Sequence, residues 1–159
     1  MQLTDIFQGL GEPAFRELLG QISMSRLKIY QLYDAVKVRT HLSKLNAESL
    51  RKAAPRLWAR VAEGEEDFAT EMAQAILVSK LDVVVEVLDS LRIPHNEGFF
   101  EKDIDLASQL TDGWQSKVYA EFKEKHSPAL VAFYVNHLAK EATDGEGELF
   151  VPSEFSTAA

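Results

Sequence analysis

The chain has 159 residues, a formal net charge of −8 and no cysteine. This length suits one domain, and a content of 46% hydrophobic residues with 8 glycines and 5 prolines excludes a disordered, collagenous or low-complexity chain. Without cysteine there is no disulfide, thiolate zinc site, iron–sulfur cluster or cysteine nucleophile. Residues 1–20 lack the basic start of a signal peptide. No apolar run approaches the roughly 20 residues that a membrane span requires. We therefore expect a soluble, cytoplasmic protein without membrane association.

Charge is distributed unevenly along the chain. Between residues 16 and 60 there are ten basic and three acidic residues, a net charge of +7, whereas the rest of the chain carries −15. This asymmetry indicates either an anionic partner for the early segment or basic and acidic surfaces that contact each other. We favour the second interpretation, within one fold or across a homodimer, because exposed charge mainly keeps proteins soluble.

Apolar residues recur with helical spacing along nearly the whole chain, which predicts an all-α fold. We predict a compact single-domain bundle of about six or seven helices with a long central helix. The candidate helices cover residues 3–10, 13–22, 25–45, 46–63, 65–91, 101–110, 114–125 and 128–142. An alternating pattern at residues 36–42 also allows a strand, but no second strand of similar quality is available to pair with it.

The longest candidate helix, residues 65–91, is predicted to be the central one. It has a single narrow polar ridge, which consists of Ser79, Asp82, Glu86 and Asp89. Apolar residues cover most of the remaining circumference, and such a helix packs against several neighbours. Val84 and Leu88 lie opposite the ridge, so they are predicted to be buried.

Two further predictions concern where helices are interrupted and where the helical domain ends. Pro55 lies inside the apolar pattern of residues 46–63, where it costs about 3 kcal/mol in a regular helix, so a kink or break is predicted near Ala54.

Residues 1–142 are predicted to form the helical domain. Residues 143–159 are acidic and contain glycine, which predicts an extended or partly disordered tail whose removal costs little stability.

Sequence patterns of several enzyme classes are absent. The chain has no GxGxxG or GxxxxGK[ST] phosphate loop, no GxSxG elbow and no HExxH motif. No histidine follows a carboxylate by three residues, as the di-iron helical bundles require. We therefore expect no cofactor.

The loop at residues 92–100 contains the candidates for catalysis or metal binding. His95 and Glu97 can ligate a divalent metal or act as a proton-transfer pair, because imidazole titrates near neutrality and a carboxylate can orient it. Asp103 is a further candidate metal ligand. The alternative is a solvated turn that Phe99 and Phe100 anchor to the core.

A basic surface on residues 46–63 is the candidate site for an anion or a partner. It consists of Arg51, Lys52, Arg56 and Arg60. Three of these residues are spaced by four, so they share one helix face that can follow a phosphate backbone. However, Glu48 precedes Lys52 by one turn and the isoelectric point is 5.0, which favours a solvated or protein-docking face over nucleic-acid contact.

His137 lies in the apolar stripe of the last helix, close to Tyr134 in sequence, and Tyr119 belongs to the preceding helix. A histidine in such a stripe is interpreted as a hydrogen-bonded core residue rather than a ligand. The tryptophans and phenylalanines likewise have helical spacing and are interpreted as core.

By elimination, the sequence predicts a non-enzymatic protein that acts through protein–protein interaction, with a protein partner or a second copy of the chain. Two alternatives stay open. One is a nucleic-acid-associated regulator that uses the basic residues 16–60. The other is a small metal-binding protein or enzyme centred on His95 and Glu97.

Overall fold

The first two helices begin and end at capping signals in the sequence. In the computed structural model, which describes residues 1–23, 47–99, 105–143 and 145–155, helix α1 spans Leu3–Leu10 and helix α2 spans Glu12–Leu19. Gly11 separates them with a φ of 93°, a conformation that glycine adopts without steric cost. Pro13 lies in the first turn of α2, where its fixed φ suits a helix start.

Three helices follow the first gap in the described residues. They are α3 (Ala47–Ala62), α4 (Glu66–Ser79) and α5 (Leu81–Ser90). Glu66 joins this part to α1, because its two carboxylate oxygens accept hydrogen bonds from the backbone N–H groups of Leu3 and Thr4, each at 2.9 Å. These amides begin α1 and have no partner inside that helix, so Glu66 caps it.

The last long helix forms the centre of the fold. After α6 (Leu106–Gln109) and α7 (Trp114–Phe122), α8 spans Pro128–Thr143. The Ser127 hydroxyl accepts a hydrogen bond from the Leu130 amide at 3.3 Å, and Pro128 follows it, which confirms the predicted helix start. Residues 129–136 are all buried, and α8 contacts α1, α2, α6 and α7.

Aromatic rings connect this centre to the N-terminal helices. Phe7 stacks on Phe133 with ring centroids 5.1 Å apart, and it meets Phe15 edge to face at 5.4 Å. Phe15 also contacts Trp58 of α3. Each such pair adds about 0.5–1.5 kcal/mol beyond the area that it buries. The cluster therefore joins α1, α2, α3 and α8 into one core.

The all-α prediction is confirmed. The described ranges contain eight α-helices, a short 3₁₀ helix at Ser153–Phe155 and no β-strand. None of these helices combines the length and apolarity that crossing a bilayer requires. The candidate helix at residues 25–45 and its strand alternative lie outside the described residues. Of the candidate helix at residues 101–110, the described part forms only the single turn of α6.

The continuity of two predicted helices differs from expectation. Of the kink or break predicted near Ala54, the break is absent, because helix α3 continues through Pro55. Pro55 is exposed, so water can solvate the carbonyl that loses its hydrogen bond. Conversely, residues 65–91 form two helices rather than one. Lys80 separates α4 from α5, with φ −130° and ψ 43° outside the helical region.

Ser79 makes the contacts that accompany this break. Its hydroxyl donates a hydrogen bond to the Ala75 carbonyl at 2.7 Å and accepts one from the Ser23 amide at 2.9 Å. A serine that bonds to backbone groups in this way competes with regular helix geometry. The Ser23 contact comes from a residue 56 positions away, so no local pattern indicates it.

A central helix is present, but it is α8 and not residues 65–91. The predicted burial phase of α5 is nevertheless confirmed. Val84 and Leu88 are buried, whereas Glu86 is exposed. The hydrophobic period therefore gave the correct orientation of this helix, although its place in the bundle is different.

Residues 145–155 lie against α7 and α8. The amide nitrogen of Asn136 donates a hydrogen bond to the Phe150 carbonyl at 2.7 Å, and its oxygen accepts one from the Phe150 N–H at 2.8 Å. The rings of Phe150 and Phe155 lie 6.1 and 6.4 Å from the ring of Tyr119. This part of the predicted tail is therefore docked through specific contacts.

Candidate functional site

An apolar cleft of about 280 Å³ lies between α8, the α4–α5 junction and the loop at residues 98–99. The residues that line it are Leu77, Val78, Leu81, Val84, Gly98, Phe99, Tyr134, His137 and Glu141. Its volume is near the lower limit of small-molecule pockets, which makes it suitable for a small ligand or a single side chain. The ends of α4 and α5 that meet at Lys80 together form one wall.

One part of the cleft lining is polar. Tyr134, His137 and Glu141 are spaced by three and four residues on α8, so they share one helix face. Tyr134 is buried, and its hydroxyl has no hydrogen-bond partner among the described residues. The Nε2 atom of His137 lies 3.9 Å from a carboxylate oxygen of Glu141, which is beyond hydrogen-bond distance.

Tyr134 and His137 are both uncharged near neutral pH, and burial moves the pKa of each group further from neutrality. Burial lowers the pKa of His137 to about 4, and the positive charge of Lys140 acts in the same direction. The neutral imidazole presents one N–H donor and one nitrogen acceptor. Burial also raises the pKa of Tyr134, and the negative charge of Glu141 adds to this effect. The phenol therefore keeps its proton and stays a hydrogen-bond donor.

His95 holds the loop that borders the cleft. Its Nδ1 atom accepts a hydrogen bond from the Gly98 N–H at 3.0 Å, and its Nε2 atom lies 2.8 Å from a carboxylate oxygen of Asp89. Because Nδ1 is an acceptor, the ring carries a proton on Nε2 and donates it to Asp89. The loop is thus fastened to α5 by one side chain.

The backbone at Gly98 approaches the cleft wall closely. Gly98 has a φ of 95°, and a Cβ atom there would lie 3.3 Å from side-chain atoms of both Leu81 and Val84. Glycine fits this position because it adopts a positive φ without steric cost and has no Cβ to crowd the two side chains. The next residue, Phe99, is 50% exposed, and its backbone exchanges hydrogen bonds with Asn96 in both directions.

His95 and Glu97, two of the residues predicted for catalysis or metal binding, have different surroundings in the structure. Both ring nitrogens of His95 are engaged by Asp89 and Gly98, while Glu97 is exposed and Asp103 lies outside the described residues. No three histidine or acidic side chains in the described ranges are arranged to hold a metal ion. The contacts of His95 hold the loop against α5. A catalytic or metal-binding role for these residues stays a prediction.

The four residues of the predicted basic surface differ in their contacts. Lys52 lies 3.5 Å from Glu48. Arg60 forms an ion pair with Glu65 at 2.9 Å, and its guanidinium lies 4.0 Å from the ring centroid of Phe68. Arg51 and Arg56 are exposed and make no ion pair within the described part of the chain.

His137 is partly buried, but it makes no hydrogen bond with the described residues, so the interpretation as a hydrogen-bonded core residue does not hold. The sequence also did not indicate the cleft beside it. Tyr119 lies away from the cleft, against Phe150 and Phe155, so only Tyr134 and His137 of the three candidates share a site. The regular spacing from Tyr134 to Glu141 is the one sequence signal for this polar face. The unpaired hydroxyl depends on tertiary packing and has no local signal.

A second depression, of about 320 Å³, lies near the start of α8 and is mostly polar. It is lined by Gln21, Lys80, Val83, Glu124, Lys125, His126, Ser127 and Leu130. Two of its polar side chains have acidic partners, because His126 lies 2.6 Å from Glu86 and Ser127 donates to Glu17 at 2.7 Å. Unlike this depression, the apolar cleft combines exposed apolar surface with a lining residue, Tyr134, whose buried hydroxyl has no partner among the described residues.

The chain was also compared with known proteins. No family model, curated protein or solved structure matches it. The function is therefore inferred from the chemistry of the cleft.

Proposed function

We propose that this is a non-enzymatic protein that acts through protein–protein interaction, and that its cleft receives an apolar side chain of a partner protein. The observation that supports the proposal is the open apolar cleft with the half-exposed ring of Phe99 beside it. Phe99 is the one large hydrophobic residue exposed within the described ranges. Exposed apolar surface of this kind marks interaction sites, and side chains that fill such pockets dominate binding energy.

The charge around the cleft indicates the chemistry of the partner segment. Glu141 lines the cleft, and the exposed residues Asp82 and Glu97 adjoin lining residues in sequence. Lys80 and Lys140 also adjoin lining residues and offset part of this charge, but the chain outside residues 16–60 carries a net −15. Basic residues on both sides of the inserted side chain would therefore speed association.

Peptides selected from a displayed random library test this proposal. We expect enriched peptides to contain one bulky apolar residue between basic residues. Binding should shift the amide resonances of Leu81, Gly98 and Phe99 in a ¹⁵N–¹H spectrum. Phe99→Ser should weaken binding about tenfold, and it should not unfold the protein because the ring is half exposed.

The control is Glu124→Ser, which changes an exposed residue of the second depression. It should leave peptide affinity unchanged. The proposal is wrong if no selected peptide binds, or if the peptides bind Phe99→Ser as tightly as the unmodified protein and shift resonances elsewhere.

Nucleic-acid association is a second candidate function, favoured by the side chains of Arg51 and Arg56 on α3, which are exposed and form no ion pair with any residue that the structure describes. Lys52 and Arg60 have acidic neighbours, which reduces the charge available to phosphates. Salt-dependent retention on a heparin column that is lost in the Arg51→Ala, Arg56→Ala double variant would support this function. Equal elution of both proteins at low salt would exclude it.

A further inference from the structure

We infer that Glu141 selects the partner protein by charge: its carboxylate forms an ion pair with a lysine or arginine that lies next to the apolar side chain inserted into the cleft. This inference rests on the proposed function and names the contact that determines specificity there. It is carried by the place of Glu141 in the cleft lining and by its lack of a cationic partner among the described residues.

Glu141 is the one charged side chain among the described residues that line the cleft. Tyr134 and His137 are the other polar lining residues, and neither is charged near neutral pH. Asp82 and Glu97 are exposed, but they adjoin lining residues in sequence and do not line the cleft themselves. The negative charge that an occupant of the cleft meets at close range is therefore that of Glu141.

The Glu141 carboxylate is accessible and has no counter-ion within the described ranges. Its side chain is 47% exposed, so a partner can contact it without a change of conformation. The nearest basic group is the Nε2 atom of His137, at 3.9 Å, but burial lowers the pKa of this imidazole to about 4, so the ring is neutral at pH 7. Lys140 is the preceding residue of α8, and consecutive residues of a helix do not face each other.

A bound partner changes the surroundings of this carboxylate. A protein that covers the cleft also removes water from the groups that line it, and a carboxylate that loses water without gaining a partner is strongly unfavourable. A lysine or arginine beside the inserted side chain replaces that water with a charge-assisted hydrogen bond. An acidic residue there would be repelled, and a neutral apolar one would leave the charge of Glu141 uncompensated. The cleft therefore discriminates between partners through this contact as well as through apolar fit.

Matched peptides test the inference. Ac-Lys-Leu-Lys-NH₂ and Ac-Gln-Leu-Gln-NH₂ share the apolar residue and differ in charge, and titration in ¹⁵N–¹H spectra at physiological ionic strength measures their affinities. We expect the lysine peptide to bind about fivefold more tightly, the effect of one partly exposed ion pair. In Glu141→Gln this ratio should fall toward one, and Glu141→Lys should bind Ac-Glu-Leu-Glu-NH₂ more tightly than the lysine peptide. Both variants should fold, because the side chain that they replace is half exposed and has no cationic partner in the described structure.

Asp82→Asn is the matched control, because it removes one negative charge from an exposed residue that adjoins the cleft lining but is not part of it. It should keep the fivefold ratio. A ratio lowered equally in Asp82→Asn and Glu141→Gln would assign the preference to the overall acidic charge and overturn the inference. Equal binding of the lysine and glutamine peptides to the unmodified protein would also overturn it, but would leave the proposed function standing. If no peptide shifts the resonances of Leu81, Gly98 and Phe99, the proposed function fails as well.

Discussion

The side chain of Asn136 and the backbone of Phe150 are joined by hydrogen bonds in both directions. Asn136 lies fully buried in α8, and its amide nitrogen also donates to the Ala132 carbonyl at 2.9 Å. Phe150 lies 14 residues further along the chain, beyond the end of the helix. An asparagine offers both a donor and an acceptor, which neither aspartate nor leucine can do. This pair therefore fastens the C-terminal segment to the centre of the fold.

Asn136→Ala should lower the free energy of unfolding by about 2–4 kcal/mol, because it leaves the N–H and C=O groups of Phe150 without partners and opens a small cavity. Urea denaturation measures this loss. Asn96→Ala is the control: that side chain is exposed, so the change should stay within about 0.5 kcal/mol. Equal losses in the two variants would show that the Asn136 contacts do not stabilise the fold.

Removal of residues 144–159 should also destabilise the protein, contrary to the expectation from sequence that this segment is dispensable. Truncation removes Phe150 and Phe155 from their contacts with Tyr119 and leaves Asn136 partly unpaired. Because both changes break the same hydrogen bonds, truncation should cost less in the Asn136→Ala background than in the unmodified chain. Additive losses would contradict a direct link between the segment and Asn136.

The orientation of helices could be predicted from sequence, but their positions in the bundle and the cleft could not. The burial of Leu88 and the exposure of Glu86 follow from the helical period alone, which is a local property of the sequence. The break at Lys80 coincides with a hydrogen bond from Ser23 to Ser79, and His95 fastens the loop that borders the cleft to Asp89. Contacts of this kind join distant elements or depend on loop conformation, and neither leaves a periodic pattern.

Leu88→Ala should cost about 2–5 kcal/mol, since this fully buried side chain leaves a cavity that its neighbours fill only in part. Glu86→Ala should cost no more than about 0.5 kcal/mol, because its partly exposed pair with His126 is weak in water. Urea unfolding of both variants provides the comparison. A loss at Glu86 as large as the loss at Leu88 would require a different helical phase for α5.

His95→Ala should lower stability by about 1–2 kcal/mol, because the Gly98 amide and the Asp89 carboxylate each lose a partner. The amide proton of Gly98 should then exchange faster with solvent, which hydrogen exchange measures directly. Zn²⁺ at equal concentration should change the melting temperature of the two proteins by the same amount. A zinc-induced stabilisation present only in the unmodified protein would instead support the metal-site alternative.

The stability of the protein should depend on the protonation of His137. Its pKa is about 4 in the folded protein, against a usual value of 6.5, so between these pH values the unfolded chain binds more protons. The contribution of the neutral His137 ring to the free energy of unfolding is therefore fully present above pH 6.5 and is lost as the pH falls toward 4. The loss should reach about 2–3 kcal/mol relative to His137→Phe, which keeps a ring but cannot be protonated. Carboxylates titrate in both proteins and largely cancel from the difference, except for Glu141, which lies 3.9 Å from the imidazole. Urea unfolding at several pH values between 7 and 4 gives this difference, and a constant value would show that His137 is not held neutral by burial.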